Sequence, residues 1–201
     1  MTRQDELREA ATDYVLEHGL IGLSLRPLAA AVGTSDRMLV YHFGSKDGLL
    51  VAVLESVTDR SNAVVRSLPP ARTVRAGVVR LWRAHLGGQL DRCQKVYVQA
   101  AASGLLGDEP FRSAVRRANA GWADALAAYL VACGAPGTRV ARVVDLVDAG
   151  LTGLHLDLPV ADDADDLERA VADLAEAAQR LADGPGGAGR AGRRRAGAPG
   201  G

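Results

Sequence analysis

The chain has 201 residues, of which 48% are hydrophobic and 4% aromatic, and its 24 basic residues balance its 24 acidic ones. This length allows one or two domains with a substantial core. No apolar run approaches the ~18 residues of a membrane-spanning helix, and no signal-peptide core follows the N-terminus, so we expect a cytoplasmic protein without a membrane partner. The scarcity of alternating β-branched and aromatic residues favours an all-α fold.

The first two helices are predicted from apolar spacing and from residues that favour helix ends. An amphipathic helix is expected over residues 3–18, with Gly19 in the C-terminal glycine position. Ser24 is the expected N-cap of a second helix, and Pro27 falls in its first turn, where a missing N–H costs little. Gly33 tolerates a positive φ, so the sequence predicts a sharp turn directly after this helix.

A third, short helix is expected to follow that turn. Ser35 is its predicted N-cap, and Leu39 and Phe43, four residues apart, are predicted to face the core. Ser45 is expected to cap a fourth helix, which the Pro69-Pro70 pair then stops. Two short helices joined by a tight turn, the second with a polar and aromatic outer face, have the layout of a DNA-reading helix-turn-helix.

The rest of the chain is predicted to be helical up to its C-terminal tail. Apolar residues recur at helical spacing in five stripes, which brings the expected total to about nine helices. The stripes cover residues 74–86, 96–105, 111–130, 140–158 and 167–181. The last segment, residues 184–201, contains only Gly, Ala, Pro and Arg, so it is predicted to be a disordered tail.

Residue patterns that would indicate an enzyme or a metal site are missing from the sequence. We find no nucleophile–base pair, no paired carboxylates and no His or Cys spacing suited to a metal, so we predict no enzyme activity, no metal and no cofactor. Cys93 and Cys133 are far apart, and each is expected to be a reduced, buried thiol.

Residues 7–55 contain a set of features at fixed spacing: Gly19, Ser24, Arg26, Leu28-Ala29, Gly33, Leu39, Tyr41-His42-Phe43, Ser45-Lys46 and Leu49-Leu50. In this set the segment resembles the N-terminal domain of tetracycline-repressor-type (TetR/AcrR) regulators. The resemblance implies a three-helix helix-turn-helix DNA-binding domain over residues 1–46, a helical ligand-binding and dimerisation domain over 47–183, and the tail over 184–201. It also implies a homodimeric repressor on a palindromic double-stranded DNA operator, controlled by an unknown small-molecule effector.

The expected DNA contacts divide into base edges and phosphates. Arg37 and Met38 are expected at base edges, and Tyr41 and His42 at phosphates. Lys46 adds a cation at a helix start, where free N–H groups also attract a phosphate. The full predicted DNA-binding set is Ser24, Arg26, Thr34, Ser35, Arg37, Met38, Tyr41, His42 and Lys46.

The resemblance further implies a ligand pocket and a dimer interface among the C-terminal helices. The pocket candidates are Trp82, His85, Tyr97, Trp122, Leu126 and Tyr129. The interface candidates are Val143, Val147, Leu151, Leu154, Leu167, Val171, Leu174 and Leu181. For both sets ordinary intramolecular packing is the alternative.

A second functional reading stays open at this point. Residues 1–66 carry seven basic and nine acidic side chains, although phosphate neutralisation supplies much of the affinity of DNA-binding proteins. The alternative is therefore a ligand-binding helical protein whose helix-turn-helix is a relic that no longer binds DNA.

Overall fold

A computed structural model describes residues 2–161 and 163–184. Over these residues the chain forms nine α-helices and no strand, which confirms the all-α prediction. The predicted tail lies, apart from Gly184, outside the described residues. The helices are α1 (Arg3–His18), α2 (Leu25–Ala31), α3 (Asp36–Phe43), α4 (Lys46–Ser67), α5 (Val74–His85), α6 (Gly88–Leu105), α7 (Glu109–Ala132), α8 (Val140–Asp157) and α9 (Ala164–Asp183).

The N-terminal helices begin and end close to the predicted residues. The Ser35 hydroxyl oxygen accepts from the Met38 amide at 3.3 Å, and the Ser45 hydroxyl oxygen accepts from the Gly48 amide at 2.9 Å. Both bonds satisfy amides that a helix start leaves without a partner. Gly33 has a φ of 69°, as the predicted turn requires. Ser24 occupies the predicted N-cap position of α2, although its side chain makes no capping hydrogen bond there.

The first compact unit consists of Met1–Leu68 and Arg83–Leu126. In it α4 packs against α1, α3 and α6. One hydrophobic core joins these helices, and Leu39, Leu54 and Val96 are among its buried members. Phe43 and Val32 are partly buried against the same core. The short helix α3 is therefore held from one side by a large apolar cluster.

The second compact unit consists of Pro69–Trp82 and Ala127–Gly201. Its most extensive helix pairing is α8 with α9. The two helices approach closely at Gly150, where an added Cβ would lie 2.6 Å from a methyl carbon of Leu174. The Tyr129 hydroxyl donates to the Gly77 carbonyl oxygen at 3.2 Å, which ties the end of α7 to α5.

The compact units do not follow the predicted boundary between residues 46 and 47, because α1–α3 share a core with α4 and α6. That boundary describes a division of function and stays a prediction. Two residues of the predicted apolar stripes are exposed, Leu86 at 52% and Leu105 at 85%. Leu86 directly follows α5, and Leu105 is the last residue of α6. Within residues 2–161 and 163–184, no helix has the length and apolarity to cross a membrane.

Candidate nucleic-acid interface and cavities

Helix α3 presents a chemically mixed, uncovered surface. Leu39 is fully buried, and this anchor fixes which side of the helix faces out. On the outer side Met38 is 41% exposed and Tyr41 is 77% exposed, and Arg37 is exposed as well. Arg37 forms no hydrogen bond or ion pair with another described residue. A guanidinium, a thioether and a phenol are therefore available together on one capped helix.

The second helix and the turn place the other N-terminal candidates near the surface. Ser24 and Arg26 are exposed at the start of α2. Thr34 is partly buried in the turn, where its amide donates to the Ala29 carbonyl oxygen at 2.9 Å. The Ser35 hydroxyl oxygen already accepts the capping hydrogen bond from the Met38 amide. The Ser35 O–H group can still donate to an external acceptor.

Lys46 and His42 flank the junction between α3 and α4 and differ in accessibility. Lys46 is exposed at the first position of α4, where its charge adds to the positive end of the helix dipole. His42 is half-buried, and its Nε2 is enclosed without a hydrogen-bond partner among the described residues. In this conformation Nε2 cannot reach a phosphate. The His42 carbonyl oxygen instead accepts from the Gln4 side chain at 2.8 Å.

Helix α1 is tied to α4 by a charged network that sequence reasoning did not find. Arg60 donates to a carboxylate oxygen of Glu9 and to one of Asp13, both at 2.6 Å. The bond from Arg60 and a second from the Ser56 hydroxyl hold the pKa of Glu9 below its ordinary value. Arg60 lies 51 residues from Glu9 and 47 from Asp13 in sequence, so only the packed structure reveals this partner on α4.

The predicted pocket residues are spread over both compact units. His85, Tyr97, Trp122 and Leu126 belong to the first, whereas Trp82 and Tyr129 belong to the second. The His85 and Trp122 rings meet edge to face, with centroids 6.2 Å apart. The Tyr97 hydroxyl donates to the Asn119 side-chain oxygen at 2.8 Å. Burial raises the pKa of Tyr129. The assignment of these six side chains to an effector pocket stays a prediction.

A cavity of about 340 Å³ lies between α4 and α7 in the first unit. We name it the α4–α7 cavity; its lining residues are Glu55, Thr58, Asp59, Asn62, Ala114, Arg117, Ala118 and Gly121. Asn62 is 4% exposed, and its side-chain oxygen has no hydrogen-bond partner among the described residues. An unpaired buried carbonyl group costs about 1–3 kcal/mol, so its presence needs an explanation. No sequence pattern indicated this cavity, because an Asn in a helix resembles an ordinary surface residue.

Most of the predicted dimer-interface residues are covered within the single chain. Val143, Val147, Leu151, Leu167 and Val171 are buried, chiefly through the pairing of α8 with α9. The others retain partial exposure: Leu154, Leu174 and Leu181. Their role in an interface stays a prediction, and these three are the members with surface left for a partner.

Known proteins match this chain over the helix-turn-helix residues. Residues 7–53 match the family model described as bacterial regulatory proteins, tetR family. The chain is 36% identical over 74 residues to the HTH-type transcriptional regulatory protein RaaS of Mycobacterium tuberculosis (strain ATCC 25618 / H37Rv). That match covers 35% of this chain and 34% of RaaS, so the chain spans about a third of the length of the curated relative.

Solved structures show a similar fold over most of the chain. A transcriptional regulator from Rhodococcus sp. Rha1 has a TM-score of 0.67 at 23% identity, covering 91% of this chain and 99% of that one. The multidrug binding protein EbrR, complexed with ethidium, has a TM-score of 0.63 at 28% identity, and the match covers 87% of this chain and 96% of EbrR. The resemblance inferred from residues 7–55 is confirmed, and the helical architecture beyond it is shared with these proteins.

Proposed function

We propose that the chain is a DNA-binding transcriptional regulator whose affinity for its operator responds to a small-molecule effector. The observation that carries the proposal is the uncovered face of α3, with Arg37, Met38 and Tyr41 exposed on a helix anchored by Leu39 within a tetR-family domain. A helix with this exposure fits the major groove, where Arg pairs with guanine and an apolar group contacts the thymine methyl.

The effector part of the proposal is supported by EbrR, which is a multidrug binding protein by description and was solved with ethidium. A ligand can change DNA affinity only by binding the two conformations of the protein differently. We propose repression, with the effector favouring the conformer that binds DNA less well. Adding an effector should then raise the Kd for the operator.

The proposal includes a homodimer on a palindromic operator. Two equivalent α3 helices about one DNA turn (~34 Å) apart would read two half-sites. Leu154, Leu174 and Leu181 on α8 and α9 are the partly exposed apolar residues that we assign to the contact. A twofold interface would place the same patch of each copy against the other.

The test is fluorescence anisotropy with the DNA upstream of the protein's own coding region, and with a scrambled duplex as control. With about 8–10 phosphate contacts per dimer, log Kobs should fall with log salt with a slope of about −7 to −9. A slope near −2 would contradict the assigned phosphate contacts. Equal affinity for the two duplexes would favour the relic alternative, which the excess of acidic residues in 1–66 suggests.

A further inference from the structure

We infer that Gln99 of α6 is a positioning residue for the helix-turn-helix. Its side-chain oxygen holds the loop between α1 and α2, which we name the α1–α2 loop (residues 19–24), and through that loop it fixes the orientation in which α2 and α3 meet DNA. The inference rests on the proposed function, because it assigns a role in DNA binding to a residue outside the predicted DNA-contacting set.

The Gln99 side chain makes three hydrogen bonds that together define its orientation. Its oxygen accepts from the Leu20 amide at 2.7 Å and from the Ile21 amide at 2.9 Å. Its nitrogen donates to the Lys95 carbonyl oxygen, one turn earlier on α6, at 3.1 Å. An amide oxygen has two acceptor sites, and the two loop amides occupy both. Helix α6 therefore holds two successive backbone groups of a loop that lies 78 and 79 residues away in sequence.

The backbone at the end of α1 passes close to Gln99. A Cβ at Gly19 would lie 3.2 Å from the Gln99 side-chain oxygen, and Gly19 has a φ of 86°. Glycine adopts this φ readily because it has no Cβ to clash with the backbone. The absence of a side chain at Gly19 thus permits both the turn and the close approach that brings the next two amides to Gln99.

The α1–α2 loop leads directly into α2, a helix of seven residues whose first turn has little other support. The side chain of Ser24 makes no capping hydrogen bond. Leu28 and Ala29 are buried and hold one face of α2 against the core. Apolar burial is non-directional, so it keeps the helix on the core without defining its direction. The hydrogen bonds to Gln99 are directional, and they constrain the end at which the chain enters α2.

The direction of α2 matters for DNA binding because α2 and α3 are joined by the short turn at Gly33. Ser24 and Arg26 lie at the start of α2, and Arg37 lies in the first turn of α3. If the helix-turn-helix is correctly oriented for only a fraction of the time, the Kd for the operator rises in inverse proportion to that fraction. Contacts to phosphates carry no sequence information, so a disturbed orientation should weaken operator binding more than binding to scrambled DNA.

Amide hydrogen exchange of the full chain, followed by NMR, tests the positioning role without DNA. Gln99→Met keeps the length of the side chain and removes the acceptor. Exchange at the amides of Leu20 and Leu28 should become at least about fivefold faster, whereas exchange at the buried Val57 of α4 should change less than about twofold. Unchanged exchange, or faster exchange confined to Leu20 and Ile21, would overturn the inference, because the loss would then not reach α2.

Two further variants show whether the oxygen itself is responsible. Gln99→Glu retains an oxygen that can accept from both loop amides, so exchange should return to within about threefold of wild type. Gln94→Met is the matched control on α6, because Gln94 makes no hydrogen bond with another described residue; it should change exchange less than about twofold. A Glu variant that exchanges as fast as the Met variant would also overturn the inference. Gln99→Ala replaces Gln99→Met if the latter does not fold by circular dichroism.

Operator affinity, measured by anisotropy on the same variants, separates this inference from the proposed function. Gln99→Met should raise the Kd for the operator by about 5–10-fold and the Kd for scrambled DNA by less than about twofold. If wild type prefers the operator and Gln99→Met binds it equally well, the positioning role is overturned and the proposed function stands. If wild type shows no preference, the proposed function fails, and exchange at Leu28 alone decides whether Gln99 positions the helix-turn-helix.

Discussion

Helices α3 and α8 differ in how much of their apolar surface is buried. In α3 only Leu39 is fully covered, whereas Met38, Val40 and Tyr41 are exposed. In α8 the apolar stripe that includes Val143 and Val147 is buried, mainly through the pairing with α9. The difference shows that apolar character alone does not indicate a binding surface. The uncovered large side chains of α3 lie on the surface that we propose for DNA binding.

The largest effect expected within this comparison is on stability. Leu39→Ala removes the one fully buried side chain of α3 and should lower the free energy of unfolding by about 2–5 kcal/mol. The loss combines the transfer free energy of the side chain with that of the cavity it leaves. Urea denaturation followed by circular dichroism measures it through the shift in midpoint.

Val40→Ala is the matched control for that substitution, because Val40 is the next residue along the same helix and is 39% exposed. Its effect should stay within about 0.5 kcal/mol. Comparable losses for the two variants would mean that the outer side of α3 is covered after all, and the contrast with α8 would disappear.

Helix type and helix ends were predictable because they depend on local spacing and on capping chemistry. The turn at Gly33 and the caps at Ser35 and Ser45 all lie where the sequence placed them. Long-range pairing was not predictable. Asn62 acquires its buried environment from α7, far away in sequence, and no local pattern distinguishes it from a solvent-facing Asn. The prediction for Leu105 was wrong at the other end of this scale: helical spacing placed it on the apolar stripe, but as the last residue of α6 it is 85% exposed.

The second prediction distinguishes contacts to bases from contacts to phosphates at the exposed side of α3 and the start of α4. Arg37→Ala should reduce the preference for the operator over a single-base variant by about 1–3 kcal/mol, because a guanidinium bound to a guanine edge discriminates between bases. Lys46→Ala should weaken operator and scrambled DNA alike and make the salt slope less steep by about 1 per site. Anisotropy titrations at several salt concentrations measure both. An unchanged preference in Arg37→Ala would remove Arg37 from base contact.

The third prediction concerns α8, where two glycines form a matched pair. Gly150 packs against α9, whereas Gly153 is exposed. Gly150→Ala should destabilise by about 1 kcal/mol, because its Cβ would approach Leu174 to 2.6 Å and the cost of overpacking exceeds the gain in helix propensity. Gly153→Ala meets nothing within 4 Å and should stabilise by up to about 1 kcal/mol. Thermal unfolding of the two variants gives the difference. A loss of stability in Gly153→Ala that grows with protein concentration would place Gly153 in the dimer contact.

The smallest effect is expected in the charged network that holds α1 against α4. The hydrogen bond from Arg60 lowers the pKa of Glu9 below its ordinary value of 4.5. Its stabilising contribution is therefore complete above about pH 4.5 and is lost as pH falls through the lowered pKa. The Glu9 side chain is 44% exposed, so the contribution should not exceed about 1 kcal/mol.

Arg60→Met keeps most of the aliphatic stem and removes the two ion pairs, so it isolates this contribution. The difference in unfolding free energy between wild type and variant should shrink as pH is lowered from about 6 to 3, because protonated Glu9 no longer attracts Arg60. Arg180→Met, which removes an exposed pair with Glu176 on α9, should show less than about half that change. A difference independent of pH would mean that Arg60 stabilises the α1–α4 contact by packing, and that charge contributes nothing to the support of α3.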